Sequence, residues 1–207
     1  MKIPVFGLVM IFVIWLAYEL KKHTREENQT RKDFWERERQ SGFIPRKSTN
    51  DIHYITITEQ FLPEDRGTED SELFAVCSRI LQFKDKPVAD LSEYSNTELK
   101  EKYGTANFTS LSEADSNFTF LVPYFGDLCR LLYTDGRLAE AERAALFFTE
   151  NGIYTYQIVT VLGEIYSLIN DTEKLSALID TVSASPKTQE RTIVYLKSLM
   201  PQVEDLQ

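Results

Sequence analysis

Histidine and cysteine are scarce in this chain: two of each stand among 207 residues, and the shortage removes several kinds of chemistry at once. His23 and His53 are too few for a histidine metal centre or for a Ser-His-Asp arrangement. Cys77 and Cys129 form no C-x-x-C pair, and each sits in an apolar stretch. They read as small buried hydrophobes in a reducing compartment, not as a disulfide framework. A Cys77–His53 pair is the remaining thiol chemistry, and the apolar setting of Cys77 favours an inert thiol. Neither GxxxxGK[ST] nor GxGxxG occurs, so no phosphate-cradling loop is encoded. Glu140 with Glu142, or Glu64 with Asp65, are ordinary solvated acids. The expectation is a protein that is not an enzyme, with no cofactor, no metal and no small-molecule substrate.

Charge is unevenly spread. The net charge is −9, yet residues 1–40 hold eight Lys/Arg against six Asp/Glu and residues 41–207 hold fifteen against twenty-six. An acidic body is repelled by phosphate backbones, which argues against nucleic-acid binding. Hydrophobic residues make up 43% of the chain, enough to build a core and to exclude wholesale disorder.

One long apolar run is present. From Ile3 to Leu20 it is interrupted only by Glu19, and eighteen helical residues rise about 27 Å, enough for a thin bilayer core. Pro4 suits a first helical turn, while Trp15 and Tyr18 fall near the far end, where amphipathic rings favour the interface. A cleaved signal peptide and a buried core helix are the competing readings. Tyr18, Glu19, Leu20, Lys21 and Lys22 supply no small-x-small cleavage site, which favours an uncleaved transmembrane anchor over residues 1–20. Seven Lys/Arg crowd residues 21–39 against Lys2 ahead of the run, so a single-pass protein of the cell membrane with a cytoplasmic body is expected.

Residues 21–50 read as a polar helical stalk and linker. Glu27 with Arg31 and Asp33 with Arg37 have i,i+4 spacing, and Phe34 and Trp35 are expected to dock on the soluble body. Residues 51–118 form the N-terminal part of that body. The segment Ile52–Thr58 alternates like a short strand, and a helix is expected from near Ser71 with Pro87 stopping it. Ser95 and Glu98 form a capping-box pattern, with a helix running to about Tyr103 and Gly104 turning the chain. Asn107 to Asn117 is polar and is expected to be a loop with one helical turn. Asn107 and Asn117 both match the glycosylation acceptor pattern, which a cytoplasmic body does not use.

Residues 119–207 repeat themselves. Phe125, Leu128, Cys129 and Leu132 stand thirty-four residues before Val159, Leu162, Gly163 and Tyr166. Ala141, Ala145 and Phe148 precede Leu175, Ile179 and Val182 by the same interval, and Ile193, Leu196 and Met200 continue the first series. Leu162, Gly163 and Tyr166, with Gly136, Arg137, Leu138, Ala139, Glu140 and Ala141, resemble the tetratricopeptide repeat family. The departures are Phe125 or Val159 for the usual Trp, Cys129 for Gly, Ala145 for an aromatic and Asn170 for the turn Gly. The Leu99–Thr119 region resembles small membrane-anchored repeat proteins of Gram-positive anaerobic bacteria, a group with no known activity.

The fold expected is mainly α: the N-terminal transmembrane helix and one short strand-like segment read from the residues, then, as the resemblance implies, an array of α-α hairpins with two repeats, and a C-terminal capping helix over Thr188–Met200. The resemblance further implies a concave groove lined by the first helix of each unit, at Arg130, Tyr133, Gln157, Thr160 and Glu164. A membrane-anchored module for a protein or peptide partner is the function expected, with a structural subunit of a larger membrane assembly as the alternative.

Overall fold

The computed structural model describes residues 5–186 and 188–201, and in its first helix the side chains at 10, 12, 13, 15, 16, 18–21 and from 31 onward. The protein is mainly helical. Among the described residues eight helices follow in order: α1 Val5–Ser41, α2 Glu72–Leu81, α3 Asn96–Tyr103, α4 Thr105–Thr134, α5 Leu138–Glu150, α6 Tyr156–Leu168, α7 Thr172–Ala184 and α8 Glu190–Ser198. The chain divides into two compact units, residues 1–51 with 93–109, and residues 52–92 with 110–207.

In the first unit the end of α1 is clamped to α3. Arg37 reaches across to the Glu101 carboxylate with both Nε and Nη2, and Glu38 accepts from Thr97 Oγ1 at 2.6 Å and from Lys100 Nζ. Asn107, buried, donates from Nδ2 to the carbonyls of Lys47 and Tyr103 at 2.8 Å each. The capping box expected at Ser95 forms, with Ser95 Oγ accepting from the Glu98 amide and the Glu98 carboxylate accepting from the Ser95 amide. Gly104 then takes φ +86°, where a Cβ would collide with the Pro45 carbonyl. Phe34 and Trp35, expected to dock, are exposed instead at 52% and 63%. Their rings meet each other edge-on at 5.6 Å.

The expected anchor falls partly outside the described residues: Ile3 and Pro4 are not described, nor are the side chains of 5–9, 11, 14 and 17. Among the described residues no helix is long and apolar enough to cross a membrane.

The second unit holds the main core. The strand-like reading of Ile52–Thr58 is corrected: no strand occurs among the described residues, for one backbone bond to the irregular stretch after Lys86 makes no ladder. Its alternation has a different use. Ile55 and Ile57 turn into the core while Tyr54 and Thr56 face outward, and the Ile55 amide donates to the Val88 carbonyl at 2.8 Å. Phe61, in the turn that follows, stacks on Phe147 at 4.2 Å. Helix α2 begins where expected, with Ser71 Oγ accepting from the Phe74 amide.

The loop expected over Asn107–Asn117 is also corrected, for α4 runs unbroken through it. Leu111, Ala114, Leu121, Phe125, Leu128 and Leu132 are all fully buried, a stripe at helical spacing that outweighs the weak propensities of the Ser, Thr and Asn residues between them.

From α4 onward the thirty-four-residue period appears in the backbone itself. Both ends of α7 stand thirty-four residues after those of α5, α8 starts thirty-four after α6, and α6 ends thirty-four after α4. The turns repeat as well. Gly136 at φ +75° and Asn170 at φ +54° occupy equivalent left-handed positions. At each, the following amide bonds back to a carbonyl five residues earlier, Arg137 to Leu132 and Asp171 to Tyr166, both at 2.9 Å. This six-to-one closure satisfies carbonyls that the helix end leaves open.

Helix α4 meets α5 through Phe125 stacked on Phe148 at 4.3 Å, whereas the other core residues of α5 are Ala141, Ala144 and Ala145, small enough to let α6 lie close. Gly163 gives α8 the same access to α6, since a Cβ there would overlap Leu196 Cδ2.

Candidate functional site

The first helices of the repeating units, α4, α6 and α8, carry the expected groove residues, and their side chains fare differently. Thr160 is 7% exposed, and its Oγ1 donates to the carbonyls of Tyr156 and Gln157 at 2.8 and 3.2 Å, so it is part of the helix wall. Arg130 is exposed but engaged, with Nη2 3.2 Å from Glu72 of α2. Gln157 lies over Gly126, where its amide fills the space a Cβ would need.

Tyr133 and Glu164 do come together, with a third residue that sequence reasoning missed. Tyr195 of α8 donates its hydroxyl to Glu164 Oε1 at 2.6 Å. That bond, aided by burial, pushes the Tyr195 phenol up to about 12. Burial first, then the same carboxylate, raises Tyr133. One side chain from each first helix thus meets in a Tyr133–Glu164–Tyr195 ladder. The signal was present, since these residues stand thirty-one apart, one helical turn short of the repeat and hence on the adjoining diagonal.

Beside the ladder an open cleft of about 520 Å³ lies between the start of α6, the start of α8 and the middle of α4. Phe118 and Val122 give it an apolar floor, while Gln157, Gln189 and Arg191 bring donors. The Arg191 guanidinium sits 5.3 Å over the Tyr156 ring, and the Tyr195 ring is 6.2 Å from that of Tyr156. Thr155 holds the start of α6 by accepting from the Ile158 amide. An apolar floor with a few placed polar groups suits capture of a side chain and its flanking peptide bonds.

The remaining reactive groups lie elsewhere. Burial drives the thiol pKa upward in both Cys77 and Cys129, which disfavours thiolate. His53 is exposed, with Nε2 3.2 Å from Asn151 Oδ1. Among the described residues no group of three or more His, Cys, Asp or Glu could hold a metal ion. In comparisons with protein-family models, with curated proteins and with solved structures, nothing matches this chain.

Proposed function

We propose that this protein is a non-enzymatic, membrane-anchored interaction module. Its tetratricopeptide-like array holds a protein or peptide partner at the cytoplasmic face, in the cleft between α4, α6 and α8. The observation that carries the reading is the shared thirty-four-residue register of helix ends and turns, which stacks three first helices on one face. Support for the anchor comes from the Ile3–Leu20 run and from the exposure of Met10, Phe12, Val13, Trp15, Leu16, Tyr18 and Leu20. At 100° per residue these seven side chains surround the helix, as suits lipid contact on every side.

The test is affinity capture from membranes with a C-terminal tag, followed by mass spectrometry, comparing the native chain with Arg191→Glu and Tyr156→Ala. A protein partner retained by the native chain and lost from both variants supports the cleft. Equal recovery from all three removes it. Deleting residues 1–22 should release a soluble helical fragment, and an aggregating fragment would favour the structural-subunit alternative.

A further inference from the structure

The second helices carry an open surface of their own, distinct from the first-helix cleft. Two clefts adjoin along α5. One, of about 490 Å³, opens between α5 and α7, and its lining includes Tyr154, Lys174, Ala177, Leu178 and Thr181. The other, of about 530 Å³, opens on the far side of α5, and its lining includes Gln60, Phe61, Glu142, Arg143 and Phe147. They share Leu146 and Glu150, one helical turn apart, which form the ridge between them.

The ridge defines what fits. Glu150 is exposed and has no hydrogen-bond or ion-pair partner among the described residues, whereas its neighbour Glu142 is held by Lys174 at 3.0 Å. The cations beside the ridge are already engaged, Lys174 with Glu142 and Arg143 with the Leu62 carbonyl, so the unpaired carboxylate calls for a cation from outside, flanked by two apolar side chains. The unit as a whole favours the same sign: it holds eleven Lys/Arg against twenty-two Asp/Glu, a net −11. A helix places side chains a turn apart on one face, and so straddles such a ridge with its cation above the carboxylate.

We propose that the α5–α7 face docks a basic amphipathic helix of a partner protein, with one apolar side chain in each cleft and a Lys or Arg on Glu150. The surface shares only Tyr154 with the first-helix cleft, so it stands whether or not that cleft binds a ligand.

The experiment uses the full chain in a mild non-ionic detergent and a short fluorescent helical peptide of Leu, Lys and Ala with its Leu residues on one face. Controls are the same peptide with Glu for Lys and a scrambled peptide of the same charge. Anisotropy should report binding of the Leu/Lys/Ala peptide alone. Glu150→Lys and Ala177→Arg, both at exposed positions, should each weaken it by about tenfold or more. Glu113→Lys, an equal charge change on exposed α4 surface, should leave it within about twofold. No binding, equal binding of a control peptide, or a loss for Glu113→Lys equal to that for Glu150→Lys overturns the proposal. Gln157→Ala, on the first-helix face, separates the two surfaces: it should leave this peptide's affinity unchanged, and a loss there overturns the assignment to α5–α7.

Discussion

Gly163 lies inside α6 with ordinary helical backbone, so what it contributes comes from space and not from conformation. A Cβ built there overlaps Leu196 Cδ2, stands 3.1 Å from Leu199 Cδ1 and 3.8 Å from Leu175 Cδ1. Two effects of opposite sign therefore meet in Gly163→Ala. Alanine is favoured over glycine in a helix interior by about 1 kcal/mol. Forcing a methyl into a filled site costs about 1–3 kcal/mol when the neighbours must shift. The atoms met are leucine side-chain ends, but Leu196 is fully buried and Leu199 caps the same helix, which also packs on α7, so neither can swing aside without disturbing packed neighbours. The overlap should win, leaving Gly163→Ala less stable by about 1 kcal/mol.

Urea unfolding followed by circular dichroism reads this as a lower midpoint at unchanged slope. A double-mutant cycle makes the cause specific. Leu196→Ala alone should cost about 2–5 kcal/mol. Added to Gly163→Ala it should cost about 1 kcal/mol less than that, because the new methyl occupies part of the space vacated. A midpoint for Gly163→Ala at or above that of the native chain, or strict additivity in the cycle, would refute the close approach of α6 and α8.

Other positions test the remaining physics. Gly104→Ala should loosen the first unit by about 2–4 kcal/mol, since strain at φ +86° adds to the collision with Pro45; hydrogen exchange at the Lys47 and Thr105 amides reports it. Gly136→Ala should cost about 1 kcal/mol from conformation alone, because no atom lies within 4 Å of its Cβ position, and Asn170→Gly should be neutral to slightly stabilising. The phenol of Tyr195 titrates at about 12 in the folded protein against about 10 unfolded, so its share of stability is whole below pH 10 and disappears as pH climbs toward 12. Tyr195→Phe should flatten that alkaline loss in urea midpoints taken across the range. Glu38, held down by Lys100 and Thr97, and Glu101, held down by Arg37, have the opposite sign. Their clamp on α3 is intact above the ordinary carboxylate pKa of 4.5 and weakens as pH falls below it, which exchange at α3 amides should follow.

The features legible in the sequence are those decided within a few residues or by strict periodicity. Ser71, Ser95 with Glu98, and Gly104 act on backbone groups three or four positions away, so their chemistry is local and readable. The register from α4 to α8 repeats because each unit solves the same packing problem. What misled was context. Ile52–Thr58 has the alternation of a strand, but half-buried extended backbone produces the same pattern against helices. The polar residues of Asn107–Asn117 hide a stripe whose meaning depends on what Leu111 and Ala114 face, and that lies far away in sequence. At the candidate site, Thr160 occupies a groove position by number while its hydroxyl is spent on its own helix. Tyr195 stands on a helix whose sequence pattern marks it as a cap, and its partner Glu164 lies thirty-one residues away.

Helix α8 carries a charge where the interior first helices carry a small residue. Lys197 stands thirty-four residues after Gly163 and sixty-eight after Cys129, the two small residues, both buried, that line the close approaches in the interior units. A further helix pair would have to press against that position as α8 presses against Gly163. Lys197 is exposed, and a desolvated ammonium in an apolar seam costs several kcal/mol. Val194, 62% exposed, stands where Thr160 is buried one unit earlier, so α8 keeps an open apolar edge among the described residues. Replacing Lys197 by Gly while leaving Val194 in place would remove the barrier and keep the apolar edge. That variant should self-associate in sedimentation at concentrations where the native chain does not. Unchanged sedimentation would mean that the edge of α8 is closed by shape and not by charge.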